Sequence, residues 1–356
     1  MRILTVNAGS SSLKLRIVDS DDTVVASYEE LPDSWPDLDG VSHRIVHGGV
    51  EFREPVLIDD AVEARLRAFS ELAPLHQPKS LAAMDAVRAV LPDVPHVACF
   101  DTAFHASMPA AAATYALPRE WVARYGLRRY GFHGLSHSWA AQRATELVPG
   151  CRRVVTCHLG AGASLCAVLD GQSVDTTMGF TPLDGLVMAT RSGSVDPGLV
   201  LWLQEREPDV AAALEHRSGL LGLAGTADLA QVLRRTDPEA KVALAVYLHR
   251  LRSSISSMAA ALGGVDVCVF TGGVGENAPQ IRSATVDGLG FLGLAIDRDL
   301  NGSAVGDVDV SSASAGARTL RVSAREDLQL ARLARAFLGR TNDPAAKASG
   351  TAGSDL

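Results

Sequence analysis

Three turns rich in glycine and serine carry polar side chains at positions where phosphate groups could bind. They are Asn7–Ser12 with Lys14 close behind, His158–Ser164, and Gly272–Asn277. Small residues let backbone N–H groups converge on an anion without obstruction by Cβ atoms. One such turn is also typical of an ordinary hairpin, but three of them, each after a predicted strand, indicate phosphate binding.

A second set of candidate residues lies in short polar segments within apolar sequence, where a charge or a histidine adjoins glycine or proline. These segments are Ser42–Gly49, Pro74–Pro78, Phe100–His105, Arg128–Gly134 and Met188–Gly193. We expect them to be loops at the ends of strands. Taken singly, Arg44, Asp101 and His133 have ordinary interpretations as a strand-end charge, a helix cap and a buried, hydrogen-bonded histidine.

Other phosphate-binding and acyl-transfer motifs fit less well. The sequence has no GxxxxGK[ST], and Gly160-x-Gly162 lacks the third glycine of the dinucleotide fingerprint. The string Ser11-Ser12-Leu13-Lys14 offers an SxxK motif as an alternative, a Ser-Lys acyl-transfer enzyme. That chemistry requires a serine at the start of a buried helix and partner motifs downstream, and neither is present.

The elements that must position these residues form two similar halves. The predicted strands are 2–6, 13–18, 23–28, 94–99, 153–158, 164–169, 173–177, 265–271 and 319–322. The predicted helices are 60–73, 78–90, 136–147, 197–206, 227–234, 238–262 and 326–338. In each half, three short strands with a glycine-rich first turn come first, which suggests a duplicated α/β fold.

Composition excludes several classes of protein. The 356 residues are 47% hydrophobic and 21% charged, with a net charge of −8, which is typical of a globular protein and not of a nucleic-acid binder. No apolar run is long enough to span a membrane, and the N-terminus does not resemble a signal peptide. Five cysteines without a CxxC pair favour a cytoplasmic location.

Seven of these strings together resemble the acetate kinase family, in the family's order and over residues 1–338. They are Asn7–Lys14, His43–Gly49, Phe100–His105, Arg129–Gly134, Cys157–Ser164, Thr181–Gly185 and Phe270–Asn277. The resemblance implies an α/β fold of two duplicated actin-like ATPase (ribonuclease H-like) domains with an interdomain nucleotide cleft. We expect the domains at 1–147 and 148–327, a C-terminal helix at 328–340 packed back on the first, and a disordered tail at 341–356.

The resemblance also implies an activity. It is the reversible transfer of the γ-phosphoryl group of ATP to acetate, which gives acetyl phosphate and ADP, with propionate as a further substrate. Mg²⁺ is the implied cofactor, with Mn²⁺ as an alternative. The implied assembly is a cytoplasmic homodimer that binds neither nucleic acid nor membrane.

The site residues follow from the same resemblance. The catalytic residues are Arg44, Asp101, His133 and Arg191, and the metal ligands are Asn7 and Glu326. The pocket for the acyl group is formed by Arg44, Val46, Leu75, Phe132 and Pro182. The ATP-binding residues are Lys14, His158, Leu159, Gly160, Ala161, Gly162, Asp228, Leu229, Ala230, Gly273, Val274, Gly275, Glu276 and Asn277.

Three motifs depart from the family pattern. Ala161 stands where the family has Asn, 227–230 reads Ala-Asp-Leu-Ala where the family has Asp-Phe-Arg, and 323–327 reads Ser-Ala-Arg-Glu-Asp instead of Thr-Asn-Glu-Glu. The first two concern nucleotide binding, and they motivate a further alternative, a non-catalytic nucleotide sensor of the same fold. The presence of Arg44, Asp101, His133 and Arg191 argues against it, because a sensor has no need of an acyl site.

Overall fold

A computed structural model describes residues 1–8, 13–73 and 76–341 of the chain. Most of the first glycine-rich turn, the predicted pocket residue Leu75 and all but the first residue of the predicted tail lie outside these residues.

Within the described residues, the strands and helices alternate along the chain. The strands are β1 (Ile3–Ala8), β2 (Leu13–Val18), β3 (Val24–Tyr28), β4 (Gly40–Ile45), β5 (Val56–Leu57), β6 (His96–Phe100), β7 (Arg153–Leu159), β8 (Ala163–Leu169), β9 (Gln172–Thr176), β10 (Val267–Thr271), β11 (Val308–Asp309) and β12 (Arg318–Arg321). The helices are α1 (Asp60–Ala68), α2 (Gln77–Val90), α3 (Ala110–Ala113), α4 (Arg119–Tyr125), α5 (Gly134–Leu147), α6 (Pro197–Gln204), α7 (Val210–His216), α8 (Gly219–Ala224), α9 (Leu229–Arg234), α10 (Pro238–Leu262), α11 (Gly272–Asn277), α12 (Pro279–Asp287), α13 (Arg298–Ser303) and α14 (Glu326–Thr341).

The first of two compact units contains residues 1–103 and the chain from 325 onward. Its six-stranded sheet has the order β3-β2-β1-β4-β6-β5, in which β1, β4 and β6 are parallel neighbours. Helices α2 and α14 pack against β1 and β4. Strand β6, which lies between β4 and the short edge strand β5, is buried at every position, as expected for a strand covered on both faces.

The second unit, residues 104–324, contains a sheet of the order β9-β8-β7-β10-β12-β11. Position by position, this order repeats that of the first sheet: an antiparallel meander, two strands parallel to its first strand, and a short antiparallel edge strand. Helices α5 and α10 pack on β7. The predicted α/β fold with two related halves is therefore confirmed.

The boundary between the units differs from the sequence-based domains. Residues 104–147, which we expected in the first domain, belong to the second unit. The reason lies in α5, whose buried face packs on β7 and β10. Residues 325–327, expected in the second domain, belong to the first unit because α14 packs on the first sheet.

Two elements differ from the predicted secondary structure. Residues 42–45, expected to be a loop, form most of β4, because their polar side chains find partners within the fold. Residues 272–277, expected to be a turn, form the short helix α11. Among the described helices, none has the length and apolarity needed to cross a membrane.

Candidate active site

The carboxyl ends of the parallel strands β1, β4 and β6 bring three predicted site residues together. Arg44 is the fifth residue of β4, and Asp101 directly follows β6. Arg44 Nη2 lies 2.5 Å from Asp101 Oδ2, and Arg44 Nε donates to the same oxygen at 3.0 Å. The Asp101 side chain is 2% exposed. Burial lowers the pKa of Arg44, but the negative charges of Asp101 and Glu326 outweigh it and raise that pKa overall.

Asn7, near the end of β1, joins the same group. Its Oδ1 accepts from Arg44 Nη1 at 3.3 Å, and its Nδ2 donates to Glu326 Oε2 at 2.7 Å. Glu326 is the first residue of α14, so the start of this helix comes to the end of β1. The predicted metal ligands Asn7 and Glu326 are therefore in direct contact. Lys14 lies opposite Asn7 on β2, with an exposed side chain.

The amide and carboxylate oxygens of Asn7, Glu326 and Asp101 fit a hard divalent cation. Mg²⁺ prefers oxygen ligands and is usually held by one or two carboxylates together with phosphate oxygens of the substrate. No cluster of three or more His, Cys, Asp or Glu side chains suited to a metal occurs in the described part of the chain. Asn7, Glu326 and Asp101 therefore offer oxygen ligands of the kind that Mg²⁺ prefers, but fewer than its full coordination shell.

In the second unit, His133 adopts a left-handed backbone conformation with φ of 57° just before α5. This conformation is uncommon for residues other than glycine and often marks a functional position. His133 Nδ1 lies 2.9 Å from Ser164 Oγ, and the ring stacks on His158 at a centroid distance of 4.4 Å.

The side chains of Arg191 and His133 both lie next to Gly162. A methyl group placed on Gly162 would lie 3.4 Å from His133 Nε2 and 3.5 Å from Arg191 Nη1. Arg191 is oriented by Glu215 on α7, at 3.2 Å. Burial lowers the pKa of Arg191, although Glu215 opposes this effect, and a guanidinium remains protonated at neutral pH in any case. Two cationic or proton-donating groups thus converge on one glycine.

The predicted acyl-pocket residues are distributed over both units. Val46 follows β4 in the first unit and is 5% exposed, and Phe132 precedes His133 in the second and is 2% exposed. Pro182 is half-buried, and its carbonyl accepts from Arg191 Nη1 at 3.4 Å. Phe132 and Pro182 therefore lie beside the two candidate catalytic groups of the second unit.

A cavity of about 520 Å³ in the second unit brings all three predicted ATP-binding segments of that unit together. From these segments, the residues that line it are Gly160, Ala161, Asp228, Leu229, Ala230, Gly273, Val274 and Asn277. The segments converge because β7 and β10 are parallel neighbours, with His158 opposite Thr271. Gly272, at φ of 77°, begins α11 so close to β7 that a Cβ atom would lie 2.8 Å from the carbonyl oxygen of Leu159.

Other residues predicted to bind ATP lie outside this lining. Leu159 is fully buried, and Gly275 is buried within α11. The Glu276 carboxylate accepts the backbone N–H of Ala324 at 2.9 Å and pairs with Arg321 at 3.4 Å. Asp228, although it lines the cavity, also caps α9 by accepting from the N–H of Ala230 at 2.8 Å.

Sequence reasoning missed several residues of the site. Arg234, Leu220 and Tyr247 line the cavity, and Glu215 orients Arg191. Arg234 lies four residues after Ala230 on the same face of α9, so the helical spacing was a usable signal. Glu215 had no such signal, because its contact with Arg191 depends on the tertiary fold.

The sequence profile described as the Acetokinase family matches residues 24–332. The chain belongs to this family. An acetate kinase of Trichormus variabilis is 46% identical over 307 residues, which cover 83% of this chain and 75% of the relative. An acetate kinase of Thermoanaerobacterium thermosaccharolyticum is 40% identical over 351 residues, or 93% of this chain and 88% of the relative.

Solved structures agree with this membership. The Porphyromonas gingivalis acetate kinase has a TM-score of 0.86 at 31% identity, and the match covers 95% of this chain and 99% of that chain. A propionate kinase from Francisella tularensis has a TM-score of 0.85 at 32% identity, and the match covers 93% and 98%. The resemblance seen in the sequence motifs is therefore confirmed, as is the fold class that it implied.

Proposed function

We propose that the protein catalyses the reversible, magnesium-dependent transfer of the γ-phosphoryl group of ATP to acetate. The observation that carries this proposal is the strand turn at residues 160–162. Gly160 and Ala161 line the cavity that suits a nucleotide, while Gly162 adjoins His133 Nε2 and Arg191 Nη1. A nucleotide in the cavity would direct its phosphates along this turn toward both groups.

The reaction needs positioning and charge stabilisation more than covalent chemistry. An oxygen of the acetate carboxylate forms a bond to the γ-phosphorus, and the bond from that phosphorus to the β–γ bridging oxygen breaks. The electron pair stays on the ADP oxygen. Acetate is already ionised at neutral pH, so no general base is required, and we assign Asp101 to positioning and not to proton abstraction.

Each candidate residue then has a defined role. Arg44 binds the acetate carboxylate through its planar guanidinium, held in place by Asp101. His133 and Arg191 stabilise the charge that develops on the transferring phosphoryl group. Asn7 and Glu326, with Asp101 nearby, would hold Mg²⁺, which supplies charge neutralisation on the nucleotide phosphates.

The substrate range follows from the candidate walls of the acyl pocket, all of which are medium-sized or large. We expect acetate and propionate to react and butyrate to react poorly, since one methylene group is worth about 1–3 kcal/mol in an apolar pocket. A Val46→Ala variant should improve the longer acids relative to acetate.

A hydroxamate assay tests the proposal directly. The full-length protein is incubated with ATP, Mg²⁺, hydroxylamine and acetate, propionate or butyrate, and parallel samples contain Mn²⁺ or EDTA. We expect acyl hydroxamate from acetate and propionate, with loss of product in EDTA. Tight ATP binding without product would contradict the proposal and support the nucleotide-sensor alternative.

We further propose that the protein acts in the cytoplasm as a homodimer. The five cysteines are all free thiols, which suits a reducing compartment. On α6, Leu201 is 65% exposed and Trp202 is 53% exposed, and an apolar patch of this kind is typical of protein–protein contacts. Light scattering on the purified protein measures the mass, and a monomer at micromolar concentration would contradict the assembly.

A further inference from the structure

A chain of hydrogen bonds runs from His133 into the core of the second unit. Ser164 Oγ, on β8, lies 2.9 Å from His133 Nδ1 and 2.7 Å from His137 Nε2. His137 Nδ1 lies 2.7 Å from Thr156 Oγ1 on β7, and Thr156 Oγ1 also donates to the carbonyl oxygen of Cys166 at 3.5 Å. Ser164, His137 and Thr156 are all buried. We call these three residues the relay.

The direction of each bond in the relay can be assigned from the number of hydrogens. The bond directions depend on the long contact of 3.5 Å between Thr156 Oγ1 and the carbonyl oxygen of Cys166. A carbonyl oxygen can only accept, so with Thr156 as the donor of this contact its oxygen accepts from Nδ1–H of His137. His137 is neutral because burial, followed by the neighbouring His105 and His158, holds its pKa well below the ordinary value. Its single hydrogen is then on Nδ1, and Nε2 accepts the hydroxyl hydrogen of Ser164.

These bond directions determine the tautomer of His133. Because Ser164 donates its hydroxyl hydrogen to His137, Ser164 Oγ can only accept from His133, and His133 must therefore donate from Nδ1–H. The other ring nitrogen, Nε2, is the one that lies beside Gly162 and Arg191. In this tautomer Nε2 can bind a proton and present it to a phosphoryl oxygen, while the bond from Nδ1 to Ser164 is kept in both protonation states.

We propose that Ser164, with His137 and Thr156 behind it, is a positioning residue that fixes the Nδ1–H tautomer and the ring orientation of His133. This inference rests on the proposed function for its kinetic consequence, but the tautomer itself does not. Because the relay is preorganised, the imidazole needs no reorientation when charge develops on the transferring group.

Two pairs of variants isolate the relay. Ser164→Ala removes the acceptor for His133. Ser138→Ala is its control, since Ser138 is a buried serine on α5 whose hydroxyl donates to the backbone carbonyl of Leu135 at 3.1 Å. Thr156→Val removes the hydroxyl at the far end of the relay, whereas Thr156→Ser retains it. If Ser164→Ala does not fold, the Thr156 pair tests the same inference.

The first readout is the ¹⁵N spectrum of histidine-labelled protein, with the His133 signals assigned by their loss in His133→Gln. We expect the Nδ1–H tautomer in the wild type, Ser138→Ala and Thr156→Ser, and a mixture of tautomers in Ser164→Ala and Thr156→Val. A wild-type His133 with hydrogen on Nε2, or an unchanged tautomer in both relay variants, would overturn the inference.

The second readout is steady-state kinetics, in which kcat and KM are measured separately for each variant. By analogy with partners that orient metal-ligating histidines, whose loss costs about 10–100-fold, kcat should fall by a similar factor in Ser164→Ala while KM for ATP and acetate changes little. Thr156→Val should show a smaller loss that Thr156→Ser restores. Equal changes in kcat for Ser164→Ala and Ser138→Ala would overturn the kinetic role. Inactive wild type would instead refute the proposed function, and a fully active His133→Gln would refute the catalytic role of His133, while the tautomer measurement still decides the relay.

Discussion

Arg44 and Asp101 illustrate how much of this site depends on single side chains. The ion pair joins Arg44 on β4 to the residue directly after the parallel strand β6, and its aspartate is 2% exposed. A buried pair adds little net stability, but removal of one partner leaves an uncompensated charge in the core. The pair is therefore better explained by the orientation of Arg44 toward a substrate than by stabilisation of the fold.

Replacement of Arg44 by Ala or Lys should abolish most of the activity. We expect a loss on the order of 10²–10³-fold in kcat for Arg44→Ala, as for other single electrostatic donors. Arg44→Lys should also fail, because an ammonium group cannot make the planar two-pronged contact. Arg119→Ala, an exposed arginine on α4, is the matched control, and near-normal turnover in either Arg44 variant would refute the assignment.

Asp101→Asn tests the metal assignment separately from the arginine. The amide keeps the shape of the side chain but removes a charge beside Asn7 and Glu326. We expect lower activity and a higher Mg²⁺ concentration for half-maximal rate, measured by titration of the ion at saturating ATP. Lost activity with an unchanged Mg²⁺ dependence would show that Asp101 acts on the substrate alone.

Arg234 should contribute to nucleotide binding. It lines the cavity from α9, one helical turn beyond Ala230, and a charged hydrogen bond is worth roughly 1.5–3 kcal/mol. Arg234→Ala should raise KM for ATP by about 10- to 100-fold with little change in kcat. Lys241→Ala, an exposed cation on α10 outside the cavity lining, should have no effect, and equal behaviour of the two variants would refute the role.

At the scale of elements, α11 is held by the buried side chain of Arg282. Its Nη1 donates to the carbonyl oxygens of Gly275 and Glu276, each at 2.8 Å, and its Nε donates to Asn301 Oδ1 at 2.7 Å. Burial, followed by the charge of Arg321, lowers the pKa of Arg282 to about 10. The arginine thus satisfies the last carbonyls of a short helix that lines the nucleotide cavity.

Removal of this anchor should affect both stability and binding. Arg282→Met leaves two carbonyl oxygens without a donor, so we expect the free energy of unfolding to fall by about 2 kcal/mol or more and the affinity for ADP to fall with it. Urea unfolding and calorimetry measure the two effects. Arg298→Met, which removes an exposed pair with Asp287, should change stability by less than about 1 kcal/mol, and similar values for both variants would contradict the anchoring role.

At the scale of the molecule, buried histidines of the second unit make the free energy of unfolding depend on pH. His105 is fully buried between Ser173 Oγ at 2.8 Å and the carbonyl oxygen of Phe132 at 3.0 Å. Burial lowers its pKa to about 4, although the bond to Phe132 opposes this effect. The unfolded chain, with a histidine pKa of about 6.5, therefore binds more protons than the folded one below that pH.

The free energy of unfolding should accordingly be highest above about pH 6.5 and fall as the pH approaches 4. His105 alone should account for a loss of about 2 kcal/mol between roughly pH 7.5 and pH 5. Urea unfolding at the two pH values should show a smaller difference in His105→Gln than in the wild type or in His249→Gln, whose histidine is exposed. An equal pH dependence in all three proteins would refute the role of His105.

The sequence by itself determined the two halves and the family, and it supplied most of the candidate site residues as predictions. Regular alternation of apolar residues predicts the meanders of β1–β3 and β7–β9, and glycine-rich strings identify the turns, because both signals are local in the chain. The strand β4 was missed for the same reason, since Ser42, His43 and Arg44 look like a loop until their partners are known.

Only the tertiary structure decided which residues meet. Arg44 reaches Asp101 because β4 and β6 pair in parallel, and His133 reaches Ser164 because α5 packs on β7 beside β8. The same holds for Glu215, whose contact with Arg191 no sequence motif predicts. Such contacts join residues far apart in sequence, and they are fixed by strand register and helix packing over the whole chain, which no local pattern of residues contains.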